Sequence, residues 1–126
     1  VELGWYAFDD MKGGAIYVKK IPSMKVTDVA LAVDSDAKQE EVGIRPGEKL
    51  HEQMIGLEDA LYTYEYPGHF KILPSIYDWY NDPERIGEGI KVDSEFIYCS
   101  DNNKEWMGIP ELKGWIEKNH NKIGRI

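Results

Sequence analysis

Leu3, Ala7 and Met11 recur every fourth residue at the start of the chain, the spacing of one side of an α-helix. The pattern predicts a first helix from the start to about Met11, stopped by Gly13-Gly14. No capping side chain precedes it and no Met opens it, so it reads as a helix cut in the middle. Ala15-Ile16-Tyr17-Val18 reads as a short strand. After Ile21-Pro22, Ser23 is placed as the N-cap of a second helix with Val26, Val29, Ala30 and Val33 as its apolar stripe. Glu41-Val42-Gly43-Ile44 is read as a second strand. Pro46 is read as the first residue of a third helix, with Leu50, Met54 and Leu57 stacked on its buried side.

Two alternating runs, Leu61 to Tyr66 and His69 to Leu73, flank Pro67-Gly68 and predict a hairpin. Tyr62, Tyr64 and Tyr66 fall on one of its faces, a pattern that serves packing more often than ligand stacking. Residues 75–95 are broken by Asn81-Asp82-Pro83 and Gly87-Glu88-Gly89 and read as irregular. Phe96-Ile97-Tyr98 is a candidate last strand, and Pro110 opens a final helix with Leu112, Trp115 and Ile116 on one side. The expected fold class is α+β, with short strands and about four helices, in a single domain covering residues 1–126.

Composition narrows the function. The 126 residues are 42% hydrophobic and 30% charged, a globular mix. The net charge of −8 repels phosphate backbones and anionic lipid, so no nucleic acid or membrane partner is expected. No apolar run nears the roughly 20 residues that span a bilayer, and no signal peptide is expected. The single cysteine, Cys99, cannot close an internal disulfide, which points to a cytoplasmic location. The histidines His51, His69 and His120 are scattered, so no metal site is expected. No glycine-rich dinucleotide or triphosphate loop and no nucleophile elbow occurs, and no catalytic residue stands out.

The densest signal is Gly43-Ile44-Arg45-Pro46-Gly47-Glu48-Lys49-Leu50-His51-Glu52. Arg45, placed before a helix start, could converge with free amides on a diphosphate, and Glu48 three residues on could accept ribose hydroxyls. The plain alternative is a surface Arg–Glu pair. Ser23 is either a second phosphate contact or only a cap, and Lys19 and Lys20 either add positive potential or are simply solvated. His51 reads as an exposed or bridging residue, and Asp101-Asn102-Asn103 as a turn closed by side-chain hydrogen bonds.

Lys19 to Asp28, Gly43 to Glu52 and Tyr98 to Asn103, in this order, resemble the C-terminal part of the inverting UDP-N-acetylglucosamine 4,6-dehydratases of bacterial polysaccharide and pseudaminic acid synthesis. The likeness covers nearly the whole chain. The Arg-Pro-Gly-Glu-Lys-Leu-His-Glu run is quite specific to that family, and Lys-Ile-Pro-Ser-Met-Lys favours this branch over related sugar epimerases. Cys99 stands where the family more often has Ser, and residues 77–89 match poorly, as a local insertion would. The resemblance implies the substrate-binding lobe of an extended short-chain dehydrogenase without its Rossmann domain. Arg45 would meet the diphosphate of a UDP-sugar and Glu48 its ribose. NAD(P) would belong to the parent enzyme. No tyrosine here has a lysine four residues on, so the Tyr-x-x-x-Lys pair of that chemistry is absent and the chain is expected to be inactive alone. Expected partners are the UDP-sugar, the missing Rossmann domain and further copies of the chain, through Trp5, Phe8 or Ile16. The competing readings are a stand-alone binding or interaction module and a fragment of a UDP-sugar epimerase.

Overall fold

The computed structural model describes residues 1–123. In chain order the elements are α1 (Glu2–Asp10), β1 (Ile16–Lys19), α2 (Val26–Val33), β2 (Gln53–Ile55), α3 (Leu57–Ala60), β3 (Thr63–Glu65), β4 (His69–Ile72), a 3₁₀ segment (Ile76–Asn81), α4 (Pro83–Ile86), β5 (Ile90–Lys91), β6 (Tyr98–Cys99) and α5 (Ile109–Ile123). Helices and small antiparallel sheets make this an α+β fold. The chain divides into two compact units, one of Val1–Ile21 with Gln53–Cys99, the other of Pro22–Glu52 with Ser100–Ile126.

The first unit is built on a sheet of order β1-β4-β3-β5, with β2 and β6 paired separately. The β3–β4 hairpin forms as its alternation predicts, and the Tyr66 N–H donates to the His69 carbonyl at 2.9 Å across Pro67-Gly68. Register decides the two faces. Val18 lies opposite Phe70, and Ile16 opposite Ile72. Val18, Phe70 and Ile72 join Ile55 and Tyr98 in the main core, with Tyr62, Val92 and Phe96 packed against it. The Tyr98 hydroxyl donates to the Ile21 carbonyl and accepts the Ile21 N–H, both at 3.0 Å, so the buried phenol is satisfied. On the opposite face Tyr17 and Tyr64 both lie across from Lys71, and Lys19 from His69. That face is polar and aromatic, yet all four residues of β4 are buried.

Three elements cover it. α1 docks through Tyr6 and Asp10, and Tyr80 and Ile86 pack on Tyr64, Tyr66 and Leu73. Residues 75–95, expected to be irregular, contain the 3₁₀ segment, α4 and β5. Asp82 caps α4 by accepting the Glu84 N–H at 3.0 Å. Arg85 stacks over Trp79 at 3.9 Å and donates to the carbonyls of Lys12 and Gly13 at 2.8 and 3.2 Å, which satisfies groups just beyond the end of α1.

In the second unit α2 packs against α5, where Leu112 is buried. Glu111 reaches back to accept the Gly108 N–H at 3.1 Å, half of a capping box at the start of α5. Four expectations need correction. Ser23 does not cap α2: its N–H donates to the Glu105 carbonyl at 2.8 Å and its carbonyl accepts the Met107 N–H at 2.9 Å. Those bonds form a parallel bridge opposite Trp106 and hold Ser23 extended, and the helix starts three residues later. Val26 and Val33 are exposed, whereas Ala32 is the buried residue of α2. No strand forms over 41–44 and no helix starts at Pro46; residues 41–50 are exposed, and Leu50, Met54 and Leu57 do not share a buried face. The reason lies at Gly47, whose φ of 87° no α-helix permits.

Candidate functional site

Arg45-Pro46-Gly47-Glu48 is a tight turn. The Glu48 N–H donates to the Arg45 carbonyl at 3.1 Å, with Pro46 and the positive-φ Gly47 at the two central positions, the arrangement of a type II turn. The turn does what a helical turn was expected to do: it places Glu48 back over Arg45. The Arg45 N–H donates to Glu48 Oε2 at 3.0 Å, and Arg45 Nε lies 4.0 Å from Glu48 Oε1. The Arg45 side chain is 85% exposed, so its planar fork is open to a ligand. Each Glu48 oxygen keeps lone-pair capacity for a hydroxyl donor. What is lost is the helix N-terminus: the anion-binding amides expected beside Arg45 are replaced by a turn.

Ser23 is buried, and its Oγ accepts from Asn103 Nδ2 at 3.1 Å. Asn103 also accepts the Glu105 N–H on its side chain at 3.1 Å and the Trp106 indole N–H on its carbonyl at 2.8 Å. The expected side-chain turn thus exists, centred on Asn103. Among the described residues no hydrogen bond or ion pair joins Ser23 to Arg45 or Glu48. His51 is exposed, with Nδ1 3.5 Å from Ser100 Oγ, and Ser100 Oγ accepts the Glu52 N–H at 3.0 Å. No cluster of three metal-ligating side chains occurs among the described residues, and no described helix is long and apolar enough to cross a membrane.

A second constellation escaped the sequence reading. On the polar face of the sheet, Asp10 Oδ2 accepts from Tyr17 Oη at 2.6 Å and from Lys71 Nζ at 2.8 Å. Lys71 is only 4% exposed, and its ammonium also lies 5.1 Å over the Tyr66 ring. Burial alone would raise the Asp10 carboxyl, but hydrogen bonds from Lys71 and Tyr17 bring it below its ordinary value. Burial, then the Asp10 hydrogen bond, pushes the Tyr17 phenol up. Burial, then the Asp10 charge, pushes Tyr66 up to about 12. No sequence signal announced it: alternation along β4 puts Phe70 and Ile72 on the core face and leaves His69 and Lys71 reading as solvent-facing.

Comparison with known proteins gives these features a family. Residues 1–74 match the family model described as polysaccharide biosynthesis protein. Two curated relatives, the UDP-N-acetylglucosamine 4,6-dehydratases (inverting) of Campylobacter jejuni serotypes O:2 and O:23/36, are 46% and 44% identical over 110 residues, 83% of this chain. The chain spans about a third of their length. Among solved structures, Pen from Bacillus thuringiensis superposes with a TM-score of 0.74 at 26% identity, over 94% of this chain and 35% of that one. With the family model matching more than half of its residues, the chain belongs to the polysaccharide biosynthesis protein family.

Proposed function

We propose that this chain is the substrate-side lobe of a UDP-N-acetylglucosamine 4,6-dehydratase and holds the nucleotide end of a UDP-sugar. The observation that carries this reading is the Arg45–Glu48 turn, an exposed guanidinium set against a carboxylate by a hydrogen-bonded backbone. Arg45 meets the diphosphate through paired N–H donors, and Glu48 accepts from the ribose hydroxyls. Ser23 is the weaker assignment, because its hydroxyl is already engaged by Asn103. Similarity to the Campylobacter dehydratases supports the choice of UDP-sugar. NAD(P) would be bound outside these 126 residues, which contain neither a glycine fingerprint nor a Tyr-x-x-x-Lys pair. The lobe is therefore inactive alone, and it associates with further copies through the exposed side of α1, where Trp5 and Phe8 are 68% and 77% exposed.

Chemical-shift titration with UDP and with pyrophosphate tests the site. Weak UDP binding is expected, with shifts concentrated at residues 43–52. Arg45→Ala should weaken it about tenfold or more, the loss of one charge-assisted hydrogen bond or more. Arg45→Lys should recover only part, since an ammonium cannot copy a planar fork. Glu48→Gln should weaken UDP more than pyrophosphate, which has no ribose. Shifts centred elsewhere, or indifferent to Arg45→Ala, would refute the assignment. Incubation with UDP-N-acetylglucosamine and NADP should yield no 4-keto sugar, and turnover would refute inactivity.

A further inference from the structure

His69 is enclosed by three tyrosines from three parts of the first unit. Its ring stacks parallel on Tyr66 at 4.7 Å, sits 4.8 Å from Tyr6 of α1 and lies 6.0 Å from Tyr17 of β1. It is 9% exposed, and its Nε2 is buried with no hydrogen-bond partner among the described residues. A neutral imidazole tolerates such a place as an aromatic filler. An imidazolium does not, because both ring nitrogens then carry protons that need acceptors.

The charged surroundings reinforce this. Lys71 lies two residues along β4 on the same face, Lys19 is the register partner across β1, and Lys20 follows at the end of that strand. Tyr64 faces the same side from β3. Lys20 is paired with Glu65 at 2.6 Å, and the carboxylate that α1 brings to this face, Asp10, is already held by Lys71 and Tyr17. α1 itself has no buried residue, so its seat on the sheet rests on Tyr6 against His69 and on Asp10.

We propose that His69 is an acid-sensitive latch for α1: the neutral ring seats the helix on the sheet, and protonation releases it. The consequence falls on the same helix that carries the exposed Trp5 and Phe8, so mild acid would free an apolar segment while the β3–β4 hairpin persists. Burial, then the Lys71 charge, lowers the His69 pKa from its ordinary value, so the folded state binds fewer protons than the unfolded one. The contribution of the neutral ring is full above the ordinary value of about 6.5 and is lost as pH falls from there through the folded pKa. Asp10, also lowered, acts in a separate window below about pH 4.

Hydrogen exchange followed by NMR on the full chain, corrected for intrinsic rates, tests the latch together with titration of the His69 ring shifts. Between about pH 7.5 and about pH 5, amide protection across α1 should fall by about tenfold or more, while β3 and β4 keep theirs. The α1 loss should share its midpoint with the His69 titration. His69→Phe should keep α1 protected at both pH values, and removing the exposed histidines with His51→Gln and His120→Gln should leave the acid response intact. Unchanged α1 protection in the wild type, midpoints that differ, or an acid response that survives in His69→Phe would overturn the proposal. Should His69→Phe fail to fold, the comparison of midpoints in the wild type decides.

Discussion

Gly47 shows how one residue sets the candidate site. Its φ of 87° is open to glycine and costs an L residue roughly 1–3 kcal/mol of local strain, while a Cβ there would meet nothing within 4 Å. Gly47→Ala should therefore act through the backbone alone. The exposed turn would reshape, Glu48 would lose its hold on the Arg45 N–H, and UDP affinity would fall several-fold. Thermal stability should move little, because none of residues 41–50 is buried. Calorimetry of binding beside a melting curve checks this; equal affinity in the variant would show that the turn does not preorganise the pair. Gly14 is the contrasting case: its φ is 72° and a Cβ would come within 2.8 Å of Pro74 Cγ, so substitution there strains the first unit itself.

At the scale of elements, Asp10 links α1 to β1 and β4 through Tyr17 and Lys71. Asp10→Asn keeps the shape but removes the charge opposite a buried ammonium. A hydrogen bond to a charged group contributes about 1.5–3 kcal/mol, and the carboxylate is partly exposed, so a loss of about 1–2 kcal/mol is expected. Urea unfolding at neutral pH should show a lower midpoint with an unchanged slope. Because the folded Asp10 pKa is depressed, its contribution is full above about pH 4 and lost below as pH falls through that pKa, so variant and wild type should converge in strong acid. A constant gap down to pH 2–3 would contradict the ion-pair account, taking about 1.4 kcal/mol per pKa unit as the scale. The hairpin between β3 and β4 was legible because alternation and Pro67-Gly68 are local signals. The helix expected at Pro46 failed because Leu50, Met54 and Leu57 make a helical spacing that three residues satisfy by chance, while Pro46-Gly47 also encodes a type II turn.

At the scale of the whole molecule, an acidic chain of net charge −8 carries exposed Trp5 and Phe8 on one short helix. Like charges oppose association and the apolar side of α1 favours it. Sedimentation should detect a dimer or larger species at high micromolar concentration, strengthened by salt, which screens the repulsion over about 10 Å. Trp5→Lys or Phe8→Glu should return the chain to a monomer. A clean monomer in the unmodified protein would show that this face stays solvated. Family membership and the one-third coverage of the Campylobacter relatives agree with a resemblance read from three short runs of residues.

The amino-acid sequence alone determined the α+β class, the order of most elements, the hairpin and the family, because each rests on local periodicity, turn chemistry or a contiguous run. It also paired Arg45 with Glu48, since three residues cannot separate far in either a helix or a turn. Only tertiary structure decided that Ser23 is pinned beside Trp106, since its bonding partners lie about eighty residues away in sequence. Tertiary structure likewise brought Asp10, Tyr17, His69 and Lys71 onto one face of a sheet. No spacing announces such a cluster, because its members belong to a helix and two strands, with β4 far along the chain from α1 and β1, joined only by contacts made on folding.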